Sequence, residues 1–137
     1  MAVVRPGLER RLKAELSGEV QFDRFTRGRY ATDASHYQIM PVGVVAPRTI
    51  EEAERAIGIA RAEGVSVLAR GGGTSQAGQT VGESLVVDCS KYLTRILDLD
   101  IKGGRCTVEP GIALDDLNRP LDPCTRGART GRAAWRG

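Results

Sequence analysis

"LARGGGTSQAGQT", Leu68 to Thr80, decides how the chain is read: four glycines and three small hydroxyl residues follow directly on a short apolar run. Glycine is used where a backbone must take positive φ angles or approach another group closely, and hydroxyls beside it add hydrogen-bond donors. This is the composition of a loop whose main-chain N–H groups cradle a phosphate. Three kinds of such loop differ in their fixed positions. A dinucleotide fingerprint, Gly-x-Gly-x-x-Gly, begun at Gly71 needs glycine at position 76, which is Gln76. A nucleoside-triphosphatase loop fits Gly73 and Gly78 but needs lysine at position 79, which is Gln79, and the following "VGESLVVD" reads as strand where a phosphate-capping helix is required. Without that ammonium, phosphoryl transfer loses its main charge stabiliser. Two readings remain, a loop that holds a pyrophosphate without moving it and a glycine-rich turn with no ligand. Three consecutive glycines are entropically expensive to order for a turn alone, which favours the first.

Working outward, "VGVVAP", Val42 to Pro47, is a β-branched run closed by proline, and "VSVLA", Val65 to Ala69, is a second strand. Between them "RTIEEAERAIGIARAEG" predicts a helix with a capping box of Thr49 and Glu52, an apolar face of Ile50, Ala53, Ala56, Ile57 and Ala60, and a stop at Gly64. A β-α-β unit with short connections implies parallel strands and a right-handed crossover. After the loop come "SLVVDCS", "RILDLD" and "RCTVEPG", three strand-like runs expected to be antiparallel, the last two joined by a hairpin turn at Lys102-Gly103-Gly104. "IALDDLNR", Ile112 to Arg119, opens a helix. Ahead of the first strand, Leu8, Leu12 and Leu16 at steps of four predict an amphipathic helix ending near Gly18, and "FDRFTRGRYATDASHYQIMP" shows neither period and reads as an irregular connection. The fold class is therefore α+β, in one domain of 137 residues.

Composition excludes several alternatives. The three cysteines, Cys89, Cys106 and Cys124, and the single His36 form no metal-ligand spacing. No apolar run approaches the roughly 20 residues that span a bilayer, and the start is too charged for a signal peptide, so a cytoplasmic location is expected. A formal charge of +3 does not argue for nucleic acid, although five arginines from Arg119 onward leave a basic-arm reading open.

"PRTIEEAERAIGIARAEGVSVLARGGGTSQAGQTVGESLVVDCSKYLTRI" and "CTVEPGIALDDLN" together resemble the amino-terminal half of the PCMH-type FAD-binding domain of FAD-linked oxidases, most closely the glycolate oxidase subunit, D-lactate and D-2-hydroxyglutarate dehydrogenase branch. The resemblance covers about residues 30–118 and implies FAD as cofactor. Carried over by position, Arg70, Gly71, Gly72, Gly73, Thr74 and Ser75 hold the FAD pyrophosphate, and Gln76, Gly78 and Gln79 continue the contact. Pro47 lies beside the adenosine half, and Pro110 and Gly111 form the "EPG" turn near flavin ring and pyrophosphate. Members that attach flavin through a loop histidine carry it at the position of Thr74, so the resemblance implies non-covalent FAD. Tyr30, Asp33 and Tyr37 are typical of the family's lead-in, whereas nothing near His36 in sequence orients it for catalysis.

The same resemblance implies hydride transfer from a D-2-hydroxy acid to flavin, with the substrate side built by a cap domain and by later residues. The expected layout is residues 1–29 as amino-terminal helix and lead-in, 30–119 as a partial FAD-binding domain incomplete at its carboxyl end, and 120–137 as an irregular tail. The family continues after this helix with a stretch ending "GGMAG". Ala133 to Gly137 can be encoded GCG-GCA-TGG-CGG-GGN, which one base out of frame reads Gly-Met-Ala-Gly, so the tail is expected to be a frameshifted reading. A truncated oxidoreductase, a stand-alone FAD-binding accessory module and an unrelated phosphate-binding α/β domain are the functions that follow.

Overall fold

The computed structural model describes residues 6–125. In chain order the elements are α1 (Pro6–Glu15), β1 (Glu19–Gln21), α2 (Arg24–Arg29), β2 (Gly43–Ala46), α3 (Ile50–Ala62), β3 (Val67–Arg70), β4 (Leu85–Asp88), β5 (Ile96–Asp100), β6 (Arg105–Val108) and α4 (Leu114–Thr125). The first four strands form one sheet in the order β1-β2-β4-β3, and β5 and β6 form a separate antiparallel hairpin.

Both β2 and β3 run parallel to β4, which lies between them. The expectation that the run 84–90 pairs antiparallel is thus corrected. Its "LVVD" is buried at every position, as is "GVVA" of β2, and such continuous burial belongs to parallel strands covered on both faces. Val45, Leu85 and Val67 point to one face, where Leu8, Leu12 and Leu16 of the α1 region and Ala56, Ile59 and Ala60 of α3 complete the main core. Val44 and Val86, paired in register, alternate to the other face and are buried there too.

Two short elements were not expected: β1 lies between the expected helix end near Gly18 and the segment read as irregular, and α2 lies inside that segment. Strand β1 pairs antiparallel with β2 at the sheet edge, and α2 is capped by Asp23, whose carboxylate accepts from Thr26 N at 2.8 Å. Neither carries an apolar period, so neither is visible to a periodicity argument.

Helix α3 begins at Thr49, whose Oγ1 accepts from Glu52 N at 3.2 Å. The expected box is only half formed. The Glu52 carboxylate reaches past Thr49 to accept from Arg48 N at 2.8 Å and from the N–H and hydroxyl of Ser17 at 2.7 and 2.6 Å, which ties the end of α1 to the start of α3. The buried stripe is Ala56, Ile59 and Ala60, while Ile50 and Ile57 of the expected face are exposed. The helix ends in a Schellman motif on Gly64 (φ 65°), with Val65 N donating to Ala60 O and Gly64 N to Arg61 O. Thr49→Ala is expected to lower stability by about 1 kcal/mol in urea titration, since it leaves the Glu52 N–H uncapped.

The hairpin turns where expected. Gly104 takes φ 66°, and the Asp100 carboxylate accepts from Gly103 N at 2.8 Å. Its base is held by Glu109, 1 % exposed, which accepts from Arg95 N, Nε and Nη2 at 2.8, 3.0 and 2.7 Å. Those bonds from Arg95 hold the Glu109 carboxyl below its usual range. Helix α4 runs to Thr125, past the start of the expected irregular tail at residue 120. The frameshift expectation for Ala133 to Gly137 falls outside the described residues.

Candidate functional site

Because β2, β3 and β4 are parallel, their carboxyl ends share one edge of the sheet. Three segments leave it: Pro47 after β2, the glycine loop after β3, and the turn from Cys89 after β4. In open parallel sheets ligands bind outside this edge.

Within the loop the four glycines divide into two kinds. Gly73 (φ 68°) and Gly78 (φ 76°) are in the left-handed region, and each is also crowded. A methyl on Gly73 would lie 2.5 Å from the Arg70 guanidinium, and one on Gly78 2.7 Å from the Tyr37 ring. Gly71 and Gly72 have no positive φ. A methyl on Gly71 would meet nothing within 4 Å, and one on Gly72 only the Thr74 methyl, at 3.8 Å. The fold itself thus requires glycine at 73 and 78 and not at 71 and 72.

The hydroxyl of Ser75 donates to the side-chain oxygen of Gln79 and accepts from Gln79 N at 3.2 Å, while Ala77 N donates to the same Gln79 oxygen at 3.3 Å. Gln79 therefore closes the loop on itself. The N–H groups of Gly71, Gly72, Gly73, Thr74, Ser75, Gln76 and Gly78 have no acceptor among the described residues. Consecutive main-chain donors without an acceptor on a glycine backbone are the chemistry that a pyrophosphate needs.

The lead-in 30–40 forms a collar around this loop. Ala34 N donates to Gly73 O at 3.1 Å, and the Thr80 hydroxyl donates to Asp33 Oδ2 at 3.0 Å. Hydrogen bonds from Ser35, joined by that from Thr80, hold the Asp33 carboxyl down at about 2. A carboxyl depressed in the folded state contributes stability that is fully present above its unfolded pKa near 4 and lost as pH falls toward 2, so this tether persists across neutral and mildly acidic pH. The Tyr30 hydroxyl donates to Asp88 Oδ2 at 2.5 Å, and burial followed by that carboxylate pushes Tyr30 up to about 12. Asp88 is itself buried and accepts from the Ser90 N–H and hydroxyl at 2.8 and 2.6 Å. Tyr30, Asp33 and Tyr37, named from the resemblance, all touch the loop or its support. Asp88 was not singled out, although a carboxylate ending the buried run "LVVD" signals a partnered group.

The Arg70 guanidinium lies beneath the loop, donating to the main-chain oxygens of Tyr30, Thr32 and Thr80 at 3.4, 2.8 and 3.2 Å. Gly111 belongs to the same edge: its N–H donates to Leu93 O at 2.8 Å, its Cα packs on the Cys89 carbonyl, and Cys89 N donates to Arg70 O at 2.9 Å. Pro110 beside it is exposed. Pro47 is fully buried, so it ends β2 at this edge without presenting a side-chain surface there. His36 is exposed and stacks on Tyr37, with ring centroids 4.4 Å apart. Among the described residues no cluster could hold a metal ion, and no helix is long and apolar enough to cross a membrane.

Residues 41–128 match the FAD binding domain family. D-2-hydroxyglutarate dehydrogenase of Haemophilus influenzae is 33% identical over 109 residues, covering 77% of this chain and 11% of that protein. The enzyme of the same name from Escherichia coli K12 is 36% identical over 104 residues, 74% of this chain and 10% of that protein. Glycolate oxidase subunit GlcD of Bacillus subtilis is 35% identical over 112 residues, 79% of this chain and 24% of that protein. The chain thus spans about a tenth to a quarter of these relatives. Among solved structures, alkyldihydroxyacetonephosphate synthase superposes with TM-score 0.75 at 21% identity over 88% of this chain and 25% of that one. A carbohydrate oxidase from Microdochium nivale does so with TM-score 0.69 at 22% identity over 96% and 27%. With the glycine loop seated at the carboxyl edge of a parallel sheet, the match over residues 41–128 and the shared fold, the chain belongs to the FAD binding domain family of FAD-linked oxidoreductases, with the PCMH-type fold.

Proposed function

We propose that the loop from Gly71 to Gly78 seats the pyrophosphate of FAD on its main-chain N–H groups, as the amino-terminal part of an oxidoreductase acting on a D-2-hydroxy acid. The single observation that carries the reading is the pair Gly71 and Gly72, glycines that neither backbone conformation nor neighbouring atoms require. A phosphate approaching within hydrogen-bond distance of their N–H groups supplies the missing reason. Thr74 adds its hydroxyl at the same loop, Ser75 its amide, and the Gln76 and Gly78 amides extend the row of donors. Pro110 and Gly111 hold the neighbouring turn at the same edge, and Pro47 fixes where the chain leaves β2.

The cofactor supplies the hydride acceptor in this chemistry. The protein's part is to bind and orient, and the described residues do so with dipoles at a loop instead of a charged side chain. Because the chain spans only about a tenth to a quarter of these relatives, oxidation of the hydroxy acid is proposed for the longer protein that they represent. Attachment is non-covalent: Thr74 stands in the loop, and His36 is stacked on Tyr37.

Mixing the chain with FAD and removing free cofactor is expected to leave retained flavin with perturbed visible absorption and quenched fluorescence. Acid denaturation is expected to return all of it to the supernatant, and D-2-hydroxyglutarate with a dye acceptor to give no turnover. A folded chain that retains no flavin would remove the cofactor reading, and flavin that stays with the precipitate would remove the non-covalent one. An accessory module is the second reading, and retained flavin without turnover is its expected signature too; addition of a separately expressed remainder that restores turnover favours the first.

A further inference from the structure

We infer that Arg70 is a positioning residue that fixes the shape of the glycine loop and does not face the bound phosphates. The inference rests on the FAD reading above for its ligand and on the geometry of the loop for its argument.

The guanidinium binds the end of the loop and the collar at once. Nη1 donates to Thr80 O at 3.2 Å, where the loop ends, and to Tyr30 O at 3.4 Å, while Nη2 donates to Thr32 O at 2.8 Å in the collar. Its plane is further backed by the Tyr30 ring, with the guanidinium carbon 5.1 Å from the ring centroid. Gly73 packs directly against it, since a methyl there would lie 2.5 Å from Nη2. Arg70 also ends β3 in register with Asp88, so its Cα is anchored in the sheet. One rigid, planar group thereby joins strand, collar and loop terminus, a task for a five-donor fork and not for a point charge. The phosphate-facing donors are left to the backbone of Gly71 to Gln76.

The test uses Arg70→Lys and Arg70→Ala in the full chain. If Arg70 positions the loop, lysine cannot replace it, and both variants bind FAD more weakly, by about tenfold where only a tenth of the loop population keeps the receptive shape. The salt dependence of FAD affinity keeps the wild-type slope, because no phosphate-contacting charge is lost. In the ligand-free chain the Ala34 N–H, bonded to Gly73 O, exchanges faster with solvent than in wild type. Near wild-type affinity in Arg70→Lys, a flatter salt slope in Arg70→Ala and unchanged Ala34 protection would together overturn the inference.

Should circular dichroism show both variants unfolded, nitrogen-15 arginine labelling of the wild-type chain carries the test. Slowly exchanging Arg70 guanidinium signals that shift less than the Gly71 and Gly72 amides on adding FAD support positioning, and a shift larger than theirs overturns it. Should wild type bind no FAD, the cofactor reading fails on its own, and Ala34 protection in the two variants still decides whether Arg70 orders the loop.

Discussion

Gly71→Val and Gly72→Val are expected to lose FAD retention while unfolding at the wild-type temperature or slightly above it. The fold offers no obstacle to a β-carbon at either position: neither glycine has a positive φ, and the space around an added β-carbon is open to beyond 3.5 Å. Replacing glycine where the backbone is compatible lowers the entropy of the unfolded chain, worth about 0.4–1 kcal/mol for alanine. The ligand meets the opposite situation. A branched side chain on the cradle holds the pyrophosphate away from the adjacent N–H groups, and each hydrogen bond to a charged group contributes about 1.5–3 kcal/mol. Losing two weakens binding by at least about a hundredfold. Gly73→Ala is the informative contrast, because it strains a backbone at φ 68° and presses on Arg70, so stability and binding fall together. Equilibrium titration of flavin fluorescence beside thermal melts separates the two patterns. Wild-type affinity in both valine variants would mean that the pyrophosphate sits elsewhere.

The contrast also shows which parts of the site are legible in sequence. Four glycines after an apolar run mark the loop because glycine's backbone freedom is a local property, and the β-α-β unit before it follows from local period and caps. Which glycines the fold requires and which it does not is not local. That division depends on Tyr37 reaching Gly78 and on Arg70 folding under Gly73. The family resemblance names Arg70 among the residues that hold the pyrophosphate, yet its partners are carbonyls at residues 30, 32 and 80. Main-chain acceptors have no sequence signature. The direction of β4 is hidden for a similar reason: chain order places it after β3, and only its pairing with both β2 and β3 shows that it inserts between them. On α3, Ile57 and Ile59 are both apolar and two positions apart, and packing against α1 and the sheet selects Ile59. The "EPG" turn was placed by resemblance, and its mechanical role becomes visible only in what Gly111 touches.

Gly111→Ala is expected to destabilise the chain by about 3 kcal/mol, near the upper end for inserting a methyl into a packed site. The added carbon would fall on the carbonyl of Cys89 and within 2.8 Å of Leu93 O. Neither obstacle is a flexible side chain. Cys89 N is bonded to Arg70 O at the end of β3, Leu93 N is bonded to Cys89 O, and Leu93 is fully buried, so the 89–93 turn is fixed at both ends. Gly111 must move instead, which breaks its own bond to Leu93 O and drags Glu109 from Arg95. Glu109 is a buried carboxylate, and partial loss of its partners carries a penalty of about 1–3 kcal/mol or more. Gly104→Ala supplies the control in the same hairpin: its φ of 66° is strained for alanine, but nothing lies within 4 Å, so about 1 kcal/mol is expected there. Urea unfolding at constant m-value measures both. A Gly111→Ala chain as stable as the Gly104→Ala chain would show that the hairpin is not clamped to the carboxyl edge through this glycine. The larger loss instead means that the edge carrying the glycine loop and the hairpin beyond it are one mechanical unit, so that a contact at Gly111 is felt through Cys89 at Arg70, where the loop begins.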